Sequence, residues 1–459
     1  MQNRPLRYLG LLFVVLTLAA CSSNEPRKHF ASLAQQELDA ISNKKTSQWD
    51  ALDTVAPASY LTDLIQDPVL DELIKTALES NPNIQSTLLT LQSSLWELKS
   101  TQSSQLPSVD ASVSSKKSKD SDTNYSADIN VSWQLDVWGK LANTEQAASK
   151  TLASDEALYQ ASRDTLVANV MKTWLSLTAK QHAINIEQQR LELLESNEKL
   201  IIQRFKNGLD NLEKMDEART STSQSRANLV EYKEDLETQK RELKLLVGTA
   251  EPLALAPNID YPRVSLTLDE LPNQSLQRRP DLKSAYLSIE AADLKTTLAY
   301  KNMLPSINLS AALSQSADSP RVALFTSPVW SLMTQLTQPL YQGGKLKAER
   351  EIAKLNTAKA YQAYRNTLLT AVNEVDNAIG QEKVLQQQVS HIREALESSR
   401  SNLAQYQKKY RSGLVQLSDL IAAQKTTFDL EAQLDKLIFN HLSNRITLGV
   451  ALGLGVKQP

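Results

Sequence analysis

The chain has 459 residues, 22% of them charged, and a formal net charge of -2. A balance this close to neutral argues against nucleic-acid binding, which needs a basic stripe. Aromatics are 5% and glycines number 11, a mixture that suits long helices with modest cores better than a compact enzyme.

Arg4 and Arg7 precede an apolar run from Leu9 to Ala20. That run is too short to be read as a spanning helix and fits a signal peptide over residues 1–20. Cys21 follows it and is the only cysteine, so no disulfide within the chain can form. Leu18-Ala19-Ala20-Cys21 resembles a bacterial lipobox, which makes Cys21 the expected acylated N-terminus. An ordinary signal peptide with a chance cysteine is the alternative. By resemblance to sorted lipoproteins, Ser22 implies the outer membrane. Such an anchor holds a chain to a membrane without spanning it.

An N-terminal segment over 21–66 leads into a first unit over 67–248. Residues 67–105 are helical in pattern after the Asp67-Pro68 start signal. Strands are predicted at about 107–117 and 125–137. In the second, Tyr125, Ala127, Ile129, Val131, Trp133, Leu135 and Val137 point one way, and Ser126, Asp128, Asn130, Ser132, Gln134 and Asp136 the other. Residues 140–207 and 209–247 contain neither Gly nor Pro. The first of these runs would make a helix of roughly 100 Å, a length that signals helix-on-helix packing in a coiled coil or tube. A linker at 249–268 precedes a second unit over 269–455, with strands at about 305–315 and 328–340. Long helices follow at 345–412, interrupted only by Gly380, and at 414–448; 456–459 form a tail.

The two units are copies. Asn81-Pro82 and Arg279-Pro280 lie 198 residues apart, as do Leu106-Pro107-Ser108 and Leu304-Pro305-Ser306. Gly139, Gly208 and Gly248 recur 205 residues later as Gly344, Gly413 and Gly453. Three matching glycines are informative where glycine is scarce. Strands of this length with one apolar and one polar face are the signature of a transmembrane β-barrel. Half-buried strands of a soluble sheet alternate in the same way. Four strands cannot close a barrel, which needs about eight or more, and open edges are not tolerated in lipid. Several subunits would have to share one barrel.

Asp67-Pro68-x-Leu70-x-x-Leu73-Ile74, Ala77-Leu78-x-x-Asn81-Pro82 and Leu276-x-x-Arg279-Pro280-Asp281-Leu282 resemble motifs of the TolC-like outer-membrane efflux family, in its lipidated branch. Gln338-Pro339-Leu340-Tyr341-x-Gly343-Gly344-Lys345 resembles its strand-to-helix turn. Arg204-Phe205-x-x-Gly208 and Lys409-Tyr410-x-x-Gly413 resemble its helical tips. The resemblance implies a mainly α fold with a small transmembrane β part. It implies a long α-helical barrel and a shared twelve-stranded β-barrel in a homotrimer. It also implies a passive duct that takes small toxic molecules from an inner-membrane pump of the RND type through a periplasmic adaptor. The adaptor would touch the tips at Gly208, Leu209, Gly413 and Leu414. Asp128, Gln134 and Asp136 would face the lumen.

In this family, charged and aromatic residues just past the tip glycines hold the periplasmic aperture shut. By position, Tyr410 keeps the aromatic place and Asp419 an acidic one, while Val415 stands where an arginine is usual. Lys214 occupies the first-repeat place equivalent to Asp419. The expectation is a charge-swapped latch in which Lys214 pairs with Asp419 or reaches Tyr410, with Asp210 as the alternative partner. His29, His182, His391 and His441 show no metal spacing, and no phosphate-binding loop is present. No cofactor, nucleic acid or enzymatic activity is expected. The competing readings are a protein-secretion channel of type I, a periplasmic adaptor and a coiled-coil envelope tether.

Overall fold

The computed structural model describes residues 29–49, 60–119, 122–251, 253, 260–264, 276–325 and 328–457. Cys21, the signal peptide and much of the inter-repeat linker lie outside them. Helix α1 (Phe30–Trp49) is followed by a 3₁₀ turn at Leu61–Leu64, then α2 (Pro68–Ser80) and α3 (Pro82–Ser103). The hairpin β1 (Ser108–Lys116) and β2 (Asn124–Leu135) leads into α4 (Lys140–Lys206) and α5 (Leu212–Val247). The second repeat runs α6 (Pro280–Lys301), β3 (Ser306–Ala317), short α7 (Pro320–Phe325), β4 (Val329–Thr337), α8 (Lys345–Arg411) and α9 (Leu417–Ala451). Helices α4 and α8 are both 67 residues long, so Gly380 does not interrupt α8.

The stretch of helical pattern over 67–105 forms two helices, broken at Asn81-Pro82. The residue before a proline is driven to extended backbone, and Asn81 sits at φ -66, ψ 121. Its Oδ1 caps α3 by accepting from Asn83 N at 2.9 Å and Ile84 N at 3.2 Å. Its Nδ2 donates to Leu246 O at 2.8 Å. Asp67 caps α2 in the same way, accepting from Val69 N at 2.8 Å and Leu70 N at 3.1 Å beside Pro68.

Hairpin α4/α5 and hairpin α8/α9 lie side by side, with α4 against α9. Nearer the sheet, α3 packs on α4, α4 on α6, and α6 on α8. One apolar core joins α2, α4, α5 and the 3₁₀ turn through Leu70, Met171, Leu175 and Leu243. The other joins α1, α6 and α8 through Leu38, Ile289, Tyr364 and Leu368. Helix α1 is tied to α8 where Glu37 accepts from Arg365 Nε at 2.8 Å and from Tyr361 Oη at 3.1 Å. The tail is clamped because Asp164 accepts from Val456 N at 2.8 Å. Burial pushes the Asp164 carboxyl above its ordinary pKa.

The four strands form one antiparallel sheet in the order β1-β2-β3-β4. Val109, Val131, Ala311 and Leu332 share one transverse row, and Ala111, Ile129, Leu313 and Trp330 the next. Asp110, Asn130, Ala312 and Ser331 make a row on the opposite face. The alternation read along each strand therefore becomes two continuous faces, because a register slip of one residue would mix them. Strands β1 and β4 are the edges, and among the described residues their outer sides are unpaired.

Candidate functional site

The sheet is the first functional region. Much of its apolar face is exposed among the described residues: Val109 is 67% exposed and Trp330 75%. The opposite face carries hydroxyls that pair across strands, Ser108 with Ser132 at 2.7 Å and Ser114 with Ser126 at 2.8 Å. Asp128 lies there between Ser112 and Ser314, and Gln134 is opposite Asn308 and one strand further from Gln335. Val329 and Met333 also fall on this face, so β4 is its least polar strand. Among the described residues, no helix is long and apolar enough to cross a membrane.

Asp136 does not belong to the strand. Strand β2 ends at Leu135, and the Asp136 carboxylate accepts from Leu141 N at 2.9 Å and Ala142 N at 2.8 Å. It caps the start of α4, whose first amides lack helical partners. The expectation of a lumen-facing strand residue at Asp136 is corrected accordingly. Around this joint, Trp138 Nε1 donates to Pro305 O at 2.7 Å and Lys301 Nζ to Gly139 O at 2.9 Å. These bonds tie the start of α4 to the end of α6.

The helical tips are the second region. Both turns use the same bonds: Gly208 N to Phe205 O at 3.0 Å and Leu209 N to Arg204 O at 2.8 Å; Gly413 N to Tyr410 O at 3.0 Å and Leu414 N to Lys409 O at 2.9 Å. The glycines sit at φ 70 and φ 72, which a side chain would disfavour. Leu209 and Leu414 project outward, 63% and 73% exposed.

The tip charges differ from the expected latch. Asp210 receives Arg204 Nε at 2.6 Å and Lys214 Nζ at 3.4 Å. The hydrogen bond from Arg204 is the main reason the Asp210 carboxyl stays below its ordinary pKa. The clamp spans the Gly208 turn, and its own partners leave the Asp210 side chain 8% exposed. Asp419 instead accepts from Gln416 N at 3.1 Å and caps α9. Within the chain, Lys214 therefore takes Asp210, the alternative partner, and not Asp419. Arg204 went unmarked as a site residue, although it stands one turn before a left-handed glycine with an acid just beyond it. That spacing was the available signal.

No group of three or more His, Cys, Asp or Glu suited to a metal occurs among the described residues. His182 pairs with Asp435 at 2.6 Å and His441 with Glu382 at 2.8 Å, each within a helix seam.

The family described as outer membrane efflux protein matches residues 73–249 and 271–454, one match for each repeat. The probable outer membrane lipoprotein SilC of Salmonella typhimurium is 24% identical over 453 residues, covering 96% of this chain and 97% of SilC. The toluene efflux pump outer membrane protein TtgC of Pseudomonas putida is 24% identical over 424 residues, covering 89% of this chain and 88% of TtgC. The crystal structure of the Campylobacter jejuni CmeC outer membrane channel superposes with a TM-score of 0.80 at 20% identity, covering 89% of this chain and 91% of that one. The chain belongs to the outer membrane efflux protein family.

Proposed function

We propose that three copies of the chain close their four-stranded sheets into one twelve-stranded barrel and conduct small toxic molecules out of the cell. The observation that carries this is the open sheet itself. It has one apolar face, one hydroxyl-lined face and two unpaired edges, and an unpaired edge is not tolerated in lipid. Joining β1 of one copy to β4 of the next removes every edge. Val131, Trp133 and Leu135 then face lipid, while Asp128 and Gln134 face water.

Below the sheet, the two hairpins of each copy form the wall of a tube. Helices of 67 residues reach roughly 100 Å, enough to cross much of a periplasm. The wall is a conduit and assigns no catalytic step to the chain. Energy comes from an inner-membrane pump of the RND type, joined through a periplasmic adaptor at Gly208, Leu209, Gly413 and Leu414. Acylated Cys21 adds a second hold on the outer membrane. Relatives named for cation and for toluene efflux support export without fixing the cargo.

The test is the unheated outer-membrane fraction of cells making the full chain. An oligomer that collapses to monomer on boiling supports the shared barrel. A species that is monomeric before boiling contradicts it. Crosslinking from cysteines placed at 209 and 414 then identifies the adaptor and, through it, the pump.

A further inference from the structure

The two hairpins of one chain meet along α4 and α9. Three side-chain bridges cross this seam, spaced about two helical turns apart. His182 Nδ1 lies 2.6 Å from Asp435 Oδ1. Arg190 Nη2 donates to Asp429 Oδ1 at 2.7 Å. Asn197 Nδ2 donates to Gln424 Oε1 at 3.2 Å. Between Asn197 and the tips, no hydrogen bond or ion pair joins the hairpins among the described residues, since the tip charges are spent within α4 and α5.

Beside the middle bridge lies a half-open groove of about 190 Å³ where α4, α5 and α9 converge, walled by Leu194, Ile421 and Phe428 and by Glu187 and Arg190. A groove at the seam gives the facing side chains room to shift without a clash.

Arg190 stands between two acids on different hairpins. Asp429, across the seam on α9, holds its Nη2. Glu187, on its own helix, places Oε2 3.6 Å from its Nε, beyond hydrogen-bond length. That Nε is buried without a hydrogen-bond partner, an unfavourable state for a charged donor. Glu187 is 3% exposed and is held by Ser225 Oγ of α5 at 2.6 Å. The guanidinium also lies 5.7 Å from the Phe428 ring centre on α9. One bond of Arg190 is thus made across the seam, while a second, on its own side, waits on a small movement.

We propose that Arg190 is the catch between the two hairpins. With α9 against α4 it is held by Asp429, and when α9 swings off α4 it closes onto Glu187. The buried Glu187 keeps the released cation from being stranded, so the seam has two satisfied arrangements rather than one. Arg190 is a positioning residue that sets how readily hairpin α8/α9 moves. The proposal rests on the duct reading; Arg190 lies 14 residues before Arg204 of the tip clamp, roughly 21 Å along α4.

The test is conductance of the purified full-length oligomer in planar bilayers. Asp429→Asn removes the hold across the seam. Because Asp429 is half exposed, it should raise the open-to-closed ratio by up to about fivefold per subunit. Glu187→Gln removes the alternative partner and should lower the ratio, both in the parent and in Asp429→Asn. If the two acids served only to keep the seam packed, both variants would shift conductance upward, and that result overturns the proposal. Asp429→Asn conducting like the parent overturns it equally. Should either variant fail to assemble, Asn197→Cys with Gln424→Cys, joined by a cleavable thiol crosslinker, pins the same seam. Conductance should fall on crosslinking and return on cleavage, and an unchanged conductance refutes a moving seam. An intact oligomer that gives no current steps in any variant refutes the duct reading instead.

Discussion

Asn81 and Arg279 hold the same position in the two repeats, and each donates from its side chain to the carbonyl near the end of its own hairpin. Asn81 Nδ2 reaches Leu246 O at 2.8 Å, and Arg279 Nη1 reaches Ala451 O at 3.2 Å. The two carbonyls are again 205 residues apart. The same holds at the membrane joint, where Trp133 Nε1 donates to Gln105 O at 2.9 Å and Gln338 Nε2 to Met303 O at 3.0 Å. Within the hairpins, the Glu195–Arg226 rung at 2.9 Å recurs as Arg400–Glu431 at 2.7 Å with the charges exchanged. The repeats keep the bond and change the residue.

Arg279 should matter more to stability than Asn81. It is buried and also binds Asp281 at 2.7 Å and Glu374 at 2.8 Å. Arg279→Ala removes the buried cation from two partly exposed carboxylates and from the Ala451 carbonyl, and should cost about 1.5–3 kcal/mol. Asn81→Ala loses mainly a cap, about 0.5–2 kcal/mol. Denaturant unfolding of the detergent-purified protein checks the order, and a larger loss for Asn81→Ala would reverse the account.

The sheet faces predict opposite outcomes for neighbouring residues. Val131→Arg on the lipid side should cost about 2–4 kcal/mol and cut the yield of assembled oligomer. Asn130→Ser on the hydroxyl-lined side should leave the yield near that of the parent. Thiol labelling supplies the readout of facing: a water-soluble reagent should modify Cys placed at 130 faster than Cys placed at 131. The reverse order would turn the barrel inside out.

The Asp210 clamp should not respond to physiological pH. Its folded pKa is lowered, chiefly by the hydrogen bond from Arg204. A lowered acid pKa gives a contribution that is complete above the unfolded value and fades as pH falls through the folded one. The clamp should therefore hold from about pH 5 to about pH 8, both above the ordinary aspartate value. Asp210→Asn should loosen the tip at every pH in that range. Protease cutting at the 208 turn measures this, and equal cutting of variant and parent would remove the clamp from the account.

Cys21 should become the mature N-terminus and carry acyl chains. Mass spectrometry of the membrane-extracted protein decides this. A mature chain beginning elsewhere, or an unmodified thiol, rules the anchor out.

The sequence exposed most of the architecture because its signals are periodic and local. Paired glycines marked the tips, the Gly-free runs marked the long helices, and alternation marked both sheet faces. The break at Asn81-Pro82 was hidden because α2 and α3 each keep helical patterning. Asp136 alternated correctly with its neighbours, and only the end of the ladder at Leu135 shows that it caps a helix. Lys214 takes its alternative partner Asp210 rather than Asp419 for a related reason. Repeat equivalence relates Lys214 to Asp419 in position, but side chains pair by proximity, and each found a local partner. Arg190 and Asp429 are 239 residues apart, so their bond depends on how the two hairpins dock.

A chain that is the exit of an efflux pathway is required for energised cells to expel a substrate. Efflux of a preloaded fluorescent dye, followed after energising cells of the source bacterium, tests this requirement most directly. In a strain lacking this chain and its paralogues, the dye should stay inside, and restoring the full chain should release it while a Val131→Arg chain does not. Equal release with and without the chain, across dyes of differing charge, would contradict the account.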